Sequence, residues 1–241
     1  MKVLAIGNSF SQNAMTYLHN LAASAGTYMK TVNLYIGGCS LRTHYLNMLD
    51  DKQAYDFQFN GVSTGLKVSI KQGLLSDEWD VITIQQASQY SPDYTTYQPY
   101  LDELAAYVRK YQPHAKLMMH QTWAYEDRSE ALMRRMGLER SADMFAGIET
   151  SYAAAAEAIG AAGIIPCGKG MLRAVENGIA NVHSDSCHAN AIGKYLQALI
   201  WYGYLTGKSV ADVAYDPAVE AVTADEMAIA RRTAAEVLGQ Y

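Results

Sequence analysis

The chain lacks the sequence features of secreted, membrane and disulfide-rich proteins. Its 241 residues include three cysteines, Cys39, Cys167 and Cys187, whose odd number and unrelated spacings favour reduced thiols over a disulfide framework. The N-terminal apolar run "VLAI" ends at Gly7 and is too short for the core of a secretory signal. The longest later apolar segment, residues 195–205, is too short to span a bilayer. We therefore expect a cytoplasmic protein with no membrane partner.

The sequence also lacks a concentration of positive charge. The formal net charge is −5, and the lysines and arginines are scattered along the chain. A nucleic-acid-binding surface needs a stripe of cations that follows the phosphates, so nucleic acid is not an expected partner. Internal repeats and low-complexity segments are missing as well. Half of the residues are hydrophobic, which predicts one sizeable core and a single domain over residues 1–241 and leaves the oligomeric state open.

Short apolar runs alternate with longer amphipathic segments along the chain. The runs are continuous, which is typical of strands that are buried on both faces of a sheet. Strands are predicted at residues 2–6, 31–36, 81–84, 116–120 and 164–166, and helices at residues 14–25, 101–111, 141–159, 188–206 and 224–238. Residues 60–65, "NGVSTG", favour a small hairpin insertion, and Ser69 with Gln72 has capping-box spacing for a short helix ending near Leu75. This order predicts an α/β fold with a parallel sheet covered on both faces.

Polar and glycine-rich stretches follow four of the predicted strands. Ligands of open parallel sheets bind at the carboxyl ends of the strands, so these stretches are the candidate site. They offer hydroxyls, amides and glycine N–H groups but no cluster of carboxylates, and they read "GNS" at 7–9, "GGCS" at 37–40, "QQASQ" at 85–89 and "QTW" at 121–123.

A serine at a strand-to-helix turn becomes a nucleophile when a histidine removes its proton and a carboxylate orients that histidine. Ser9 stands at such a turn, and the stretch "HSDSCHAN" at 183–190 places Asp185 three residues before His188. An Asp-x-x-His pair is common in solvated loops. Its occurrence together with Ser9 indicates a possible Ser-His-Asp triad.

These motifs resemble those of the SGNH (GDSL-type) hydrolases. The resemblance covers nearly the whole chain, from the first motif, "GNS", through Gly38 after the second strand to the last motif, Asp185-x-x-His188. The longer stretches "IGNSFSQNA", "LYIGGCSL" and "SDSCHANAIGKYLQALIWYGYLTG" are similar to a branch of that superfamily known as DUF4886. The resemblance implies a flavodoxin-like three-layer α/β/α sandwich with about five parallel strands.

The resemblance also implies roles for individual residues. Ser9 would be the nucleophile, His188 the general base and then acid, and Asp185 the residue that orients it. The backbone N–H groups of Ser9 and Gly38 would bind the oxyanion, and neither a metal nor an organic cofactor is expected. Asn8 replaces the aspartate that usually precedes the serine.

The sequence departs further from the superfamily at the third motif, which is Gly-x-Asn-Asp. The corresponding stretch "QQASQ" has no asparagine. Gln89 is in register with the missing asparagine and would be the third oxyanion donor. Gln85 and Gln86 are alternatives, because a register error is easily made at the end of a strand.

Three other interpretations of the motifs are weaker. The stretch "GIIPCGKG" at 163–170 resembles a phosphate-binding loop but has Gly170 in place of the required Ser or Thr. His183, Asp185, Cys187 and His188 are metal-ligand types, but four ligands within six residues do not converge easily. The stretch "GNSFS" has Ser11 where the Gly-x-Ser-x-Gly elbow of α/β-hydrolases has its second glycine.

The sequence therefore predicts a serine esterase that hydrolyses small acyl esters, most simply the O-acetyl groups of a carbohydrate. Aromatic side chains with polar tips, including four tyrosines in residues 90–100, suit a sugar or aryl group, although packing alone also explains each tyrosine. A non-catalytic carbohydrate-binding module and a lipase or thioesterase are the alternatives. The residues expected to line the substrate site are Asn8, Gln85, Gln86, His120 and Trp123.

Overall fold

The fold is organised around one mixed sheet of seven strands in the order β4-β3-β2-β1-β5-β6-β7. The computed structural model describes residues 1–218 and 222–240. The strands are β1 (Lys2–Gly7), β2 (Lys30–Tyr35), β3 (Tyr55–Phe59), β4 (Val62–Val68), β5 (Val81–Ile84), β6 (Lys116–His120) and β7 (Ile164–Ile165). β2, β1, β5, β6 and β7 are parallel, as predicted, and their carboxyl ends share one edge of the sheet.

The remaining two strands form the predicted hairpin insertion. β3 pairs antiparallel with β2 and with β4, and residues 60 and 61 make the turn between β3 and β4. The hairpin extends the sheet beyond β2, away from the central strand β1. The prediction of an α/β fold with about five parallel strands is thus confirmed, and the sheet is wider by two strands.

Helices cover the sheet. They are α1 (Ser9–Met15), α2 (Leu18–Ser24), α3 (Leu41–Leu49), α4 (Ile70–Leu75), α5 (Tyr100–Tyr111), α6 (Glu130–Met136), α7 (Ser141–Ala158), α8 (Cys167–Glu176), α9 (Ala191–Thr206) and α10 (Ala224–Val237). α1, α2, α8 and α10 pack around the apolar helix α9, while α3, α4 and α5 pack against one another. No helix within residues 1–218 or 222–240 combines the length and the apolar character needed to cross a bilayer.

Helix boundaries differ from the predictions where polar side chains cap the backbone. The predicted helix at 14–25 begins earlier, at Ser9, because the Asn8 side chain accepts a hydrogen bond from Phe10 N–H, and it divides into α1 and α2. The helix predicted at 188–206 is α9 and begins at Ala191 because Asn190 caps it, so His188 lies in the preceding loop. Ser69 and Gln72 form the predicted capping box of α4. α3, α6 and α8 were not predicted.

Candidate active site

The junction between β1 and α1 places Ser9 at the carboxyl edge of the sheet. β1 ends at Gly7, Asn8 caps α1, and Ser9 is the first residue of that helix. Any side chain at position 7 would collide with Ser11, because a Cβ there would lie 2.1 Å from Ser11 Oγ. The strand can turn into the helix this tightly only with glycine at position 7.

A network of buried amides holds this junction. Asn8 Oδ1 accepts hydrogen bonds from Phe10 N–H at 3.0 Å and from Gln85 Nε2 at 2.5 Å, and Asn8 Nδ2 donates to the carbonyl of Cys39 at 3.1 Å. Asn8 and Gln85 are each 1% exposed. The network therefore ties together the ends of β1, β2 and β5 beside Ser9.

Three side chains from the two ends of the chain form a continuous hydrogen-bonded series. Ser9 Oγ lies 2.8 Å from His188 Nε2, and His188 Nδ1 lies 2.7 Å from Asp185 Oδ2. The second carboxylate oxygen, Asp185 Oδ1, accepts from the backbone N–H of His188 at 2.8 Å. An ionised carboxylate can only accept, so His188 carries its proton on Nδ1 and offers a free lone pair on Nε2 to the serine hydroxyl.

The carboxyl group of Asp185 stays ionised at neutral pH. Partial burial alone would raise its pKa, but the hydrogen bonds from the His188 ring and from the backbone N–H groups of His188 and Cys187 outweigh burial and lower the pKa to about 2. The group that orients His188 is therefore an anion over the whole physiological range.

Residues 183–189 carry Asp185 and His188 and are here called the triad loop. Contacts at both ends of this loop hold it in place. Trp123 Nε1 donates a hydrogen bond of 2.8 Å to the carbonyl of Cys187. Asn13 Oδ1 accepts from the backbone N–H of Ala189 at 2.9 Å. His183 and Ala189 form an antiparallel bridge that closes the base of the loop. Asn13 and Trp123 thus act on the loop from α1 and from the end of β6, and the sequence did not reveal these contacts.

The two backbone N–H groups predicted as oxyanion donors belong to Ser9 and Gly38. Ser9 is the first residue of α1, where the N–H has no partner within the helix. Gly38 is exposed and has φ +62°, a left-handed conformation that favours glycine, and nothing lies within 4 Å of a Cβ built there. The side chain of Gln89 is half-buried, and its assignment as a third donor stays a prediction.

The two alternative glutamines are not oxyanion donors. Gln85 and Gln86 are each 1% exposed. The Gln85 amide bonds Asn8, while Gln86 Oε1 accepts from Leu41 N–H at 2.9 Å and Gln86 Nε2 donates to the carbonyl of Thr96 at 3.1 Å. Gln85 thus joins the end of β5 to the end of β1, and Gln86 joins the end of β5 to the start of α3.

The prediction that Asn8, Gln85, His120 and Trp123 line the substrate site is wrong, because all four are buried. Trp123 stacks on Phe10 with ring centroids 4.1 Å apart, and His120 packs edge-on against Trp201 of α9 at 5.1 Å. Burial lowers the pKa of His120 to about 3, so this imidazole is neutral at physiological pH. Among the predicted lining residues, Gln86 alone borders a surface cleft, and only at its floor.

The aromatic residues near the sheet edge divide into two groups. Tyr97 and Tyr125 are fully buried, and their hydroxyls bond the Ser91 carbonyl at 2.8 Å and Ser88 Oγ at 3.0 Å. Tyr90 is 45% exposed and Tyr100 is half-buried. Packing therefore explains the first pair, while the second pair is accessible to a ligand.

Asp185, Cys187 and His188 carry metal-ligand atoms that all lie within 4.8 Å of one another. A metal bound there would take His188 Nδ1 from Asp185, so it is incompatible with the orienting hydrogen bond. Burial and the nearby Asp185 also raise the pKa of Cys187 to about 11, which keeps its thiol protonated. Gly163 precedes β7, and Gly168 and Gly170 of the phosphate-loop-like stretch lie in α8, so that stretch does not form a phosphate-binding loop.

Comparison with known proteins identifies relatives of this chain. A family described as "Domain of unknown function (DUF4886)" matches residues 2–237. A DUF4886 family protein from Bacteroides uniformis is 33% identical, with a TM-score of 0.92 over 100% of this chain and 96% of that one. No curated protein matches the chain.

More distant structures share the fold. A protein from Slackia heliotrinireducens, provisionally described as an SGNH hydrolase, is 19% identical, with a TM-score of 0.62 over 85% of this chain and 98% of that one. An acetylxylan esterase from Geobacillus stearothermophilus is 13% identical, with a TM-score of 0.52 over 85% of this chain and 94% of that one. At these identities the likeness extends to the fold alone.

Proposed function

The chain belongs to the DUF4886 family and has the fold of the SGNH hydrolases, and on this basis we propose that it is a serine esterase acting on small acyl esters. The observation that carries the proposal is the hydrogen-bonded series Ser9–His188–Asp185, with distances of 2.8 Å and 2.7 Å. Hydroxyl, imidazole and carboxylate are connected in the order that nucleophilic catalysis by serine requires.

The proposed reaction begins when Ser9 Oγ attacks the ester carbonyl carbon and His188 Nε2 takes the hydroxyl proton. The tetrahedral intermediate collapses as the C–O bond to the alcohol breaks, and His188 returns its proton to the leaving alcohol oxygen. Water then attacks the acyl-enzyme with His188 again as the base, which releases the carboxylic acid and restores Ser9. Asp185 keeps its negative charge throughout and stabilises the imidazolium that forms in each step.

The oxyanion of the intermediate is assigned to the N–H groups of Ser9 and Gly38, with Gln89 as the third donor. A donor of this kind typically contributes about 3 to 4 kcal/mol to the transition state. The dipole of α1 adds positive potential at its first residue, where the negative charge develops.

The proposed substrates are acetyl esters of carbohydrates. Support for this comes from fold-level analogy with the acetylxylan esterase and from the accessible tyrosines Tyr90 and Tyr100, whose rings suit a sugar face. Small acyl groups are proposed on the same fold-level analogy with the acetylxylan esterase.

Hydrolysis of p-nitrophenyl acetate by the wild-type protein and by Ser9→Ala tests the proposal. The wild type should cleave the ester and Ser9→Ala should not. Ser11→Ala is the matched control, because it removes a hydroxyl two residues away that bonds Asn33 inside the protein. A serine-directed phosphonate should add its mass to the peptide containing Ser9 in the wild type and in Ser11→Ala alone.

Equal cleavage by wild type and Ser9→Ala would disprove the assignment of the nucleophile. Binding of an acetylated sugar without cleavage or phosphonate labelling in either protein would instead support a non-catalytic binding module. Cleavage confined to long acyl chains or to thioesters would redirect the proposal to a lipase or thioesterase.

A further inference from the structure

A polar cleft of about 420 Å³ lies between the loop after β2 and the loop after β5. Its lining combines amides, hydroxyls, two tyrosines and one guanidinium and contains no carboxylate. Amides, hydroxyls and aromatic rings together match the hydrogen-bonding edges and apolar faces of a sugar. The cleft therefore has the composition of a site for a polar ring.

Residues that line the cleft are close in sequence to the candidate oxyanion donors. The cleft wall at Ser40 is two residues after Gly38, and its floor at Gln86 is one residue after Gln85, which bonds Asn8 next to Ser9. Gln86 Oε1 also accepts from Leu41 N–H and so joins floor to wall. An ester whose carbonyl oxygen sits at Ser9 and Gly38 would extend its alcohol part into this space.

Arg42 is the one cation that lines the cleft. It is exposed and forms no ion pair with any carboxylate in residues 1–218 or 222–240. Arg42 is also the second residue of α3, an end of the helix where the macrodipole disfavours a positive charge. Its guanidinium is therefore free to pair with an anionic ligand in the cleft.

From this arrangement we infer that the alcohol part of the substrate is an acidic sugar, whose carboxylate pairs with Arg42. The inference rests on the proposed esterase function and specifies its substrate class. A guanidinium fork matches a carboxylate in charge and geometry. One cation balances the single charge of a carboxylate, whereas a phosphate group would carry up to two. Tyr90 and Tyr100 border the same cleft and would contact the faces of the ring.

Acetate release from two sugars tests the inference: the methyl glycoside of O-acetylated galacturonic acid, and the amide of the same compound, which keeps the ring and removes the charge. Wild type should have a kcat/KM about 10- to 100-fold higher for the acid, the range expected for a hydrogen bond to a charged group. Arg42→Gln should lower this acid-to-amide ratio of kcat/KM to about one and should keep hydrolysis of p-nitrophenyl acetate. Arg42→Glu should invert the ratio, and Arg42→Lys should keep part of it.

Arg134→Gln is the matched control, because it removes the same charge from a side chain that is 79% exposed and paired with Glu130 outside the cleft. It should leave the acid-to-amide ratio unchanged. A wild-type ratio near one, in an enzyme that cleaves p-nitrophenyl acetate, would overturn the inference and leave the esterase proposal intact. So would a ratio that survives Arg42→Gln.

Calorimetric titration with the deacetylated methyl galacturonoside separates the two proposals when no ester is cleaved. Failure of all ester hydrolysis would disprove the esterase function. Binding of the galacturonoside that weakens about 10-fold or more in Arg42→Gln would still support the cleft as an acidic-sugar site. No binding to the wild type would overturn that assignment.

Discussion

The serine half and the histidine half of the candidate site are held in different ways. Ser9 is fixed by the sheet: the strand end, the buried amides of Asn8 and Gln85 and the first turn of α1 set its position. The triad loop is instead held by its own hydrogen bonds together with those to Trp123 and Asn13. Asp185 bonds the ring and the backbone N–H of His188 three residues away, and its side chain is 56% exposed.

This difference separates stability from activity. A change in the serine half breaks buried hydrogen bonds that also join three strands, so it should lower the free energy of unfolding. A change in the triad loop removes exposed contacts that contribute little to folding. The two halves should therefore respond differently when stability and activity are measured on the same variants.

The largest effect on activity is expected for Asp185→Asn. Asp185 Oδ1 accepts from the backbone N–H of His188 and Oδ2 accepts from His188 Nδ1–H, so an asparagine that keeps its oxygen on the backbone N–H turns its NH2 group toward Nδ1. That contact favours the tautomer with the proton on Nε2, which cannot take the Ser9 proton, and kcat should fall about 10³- to 10⁴-fold. Because Asp185 is exposed, the free energy of unfolding should change by less than about 1 kcal/mol. Kinetics with p-nitrophenyl acetate and urea denaturation of the same sample measure both quantities. Activity above a tenth of the wild-type value would remove Asp185 from the proposed mechanism.

The pH dependence of the wild-type protein's stability also tests the contribution of Asp185. The pKa of Asp185 is lowered to about 2, so its contribution to stability is present above the ordinary carboxyl value and is lost only as the pH falls through about 2. Asp185 therefore stays ionised between pH 8 and pH 5, and the free energy of unfolding should not change through this group over that range. A parallel loss of folded protein over that range would contradict this.

In the serine half, Asn8→Asp should lower stability. Asn8 Nδ2 donates to the carbonyl of Cys39, and an ionised oxygen at that atom would face the carbonyl oxygen at about the same 3.1 Å. We expect a loss of about 1 to 3 kcal/mol at pH 7. Burial raises the pKa of the new carboxyl group, so the loss should shrink as the pH falls, because the protonated acid can again donate to Cys39. Urea denaturation at pH 7 and pH 5 measures the change.

Asn13→Asp is the matched control for this variant. Asn13 uses its side-chain oxygen to accept from Ala189 N–H, a role that a carboxylate retains. The loss in the free energy of unfolding should therefore be smaller for Asn13→Asp than for Asn8→Asp. Equal losses at both positions would show that burial of charge alone, and not the Cys39 carbonyl, determines the effect.

The contrast between the halves also explains how much the sequence could predict. The strands and their carboxyl edge followed from continuous apolar runs, and Ser9, Asp185 and His188 stood out because each belongs to a short local motif. α3 and α8 were missed because polar residues in "LRTHYLNML" and glycines in "CGKGMLRAVE" weaken the helical pattern.

Burial at the sheet edge depended on contacts between distant segments. His120 and Trp123 follow β6 at the edge where ligands bind, which suggested exposed side chains, but Trp201 covers His120 and Phe10 covers Trp123. The role proposed for Arg42 was equally hidden, because it depends on which carboxylates lie near it in space. Local sequence patterns carry no information about either kind of contact.

The smallest effect is expected where the two halves meet, at Trp123. Trp123→Phe keeps an aromatic ring against Phe10 and removes the hydrogen bond of 2.8 Å to the Cys187 carbonyl. Without that bond the triad loop should spend less time with His188 aligned on Ser9, so kcat should fall about 3- to 10-fold with little change in KM. Trp201→Phe removes the same volume from the core and no bond to the triad loop, so it should lower stability without this loss of kcat. If both variants lose kcat equally, core packing rather than the Trp123–Cys187 bond positions the loop.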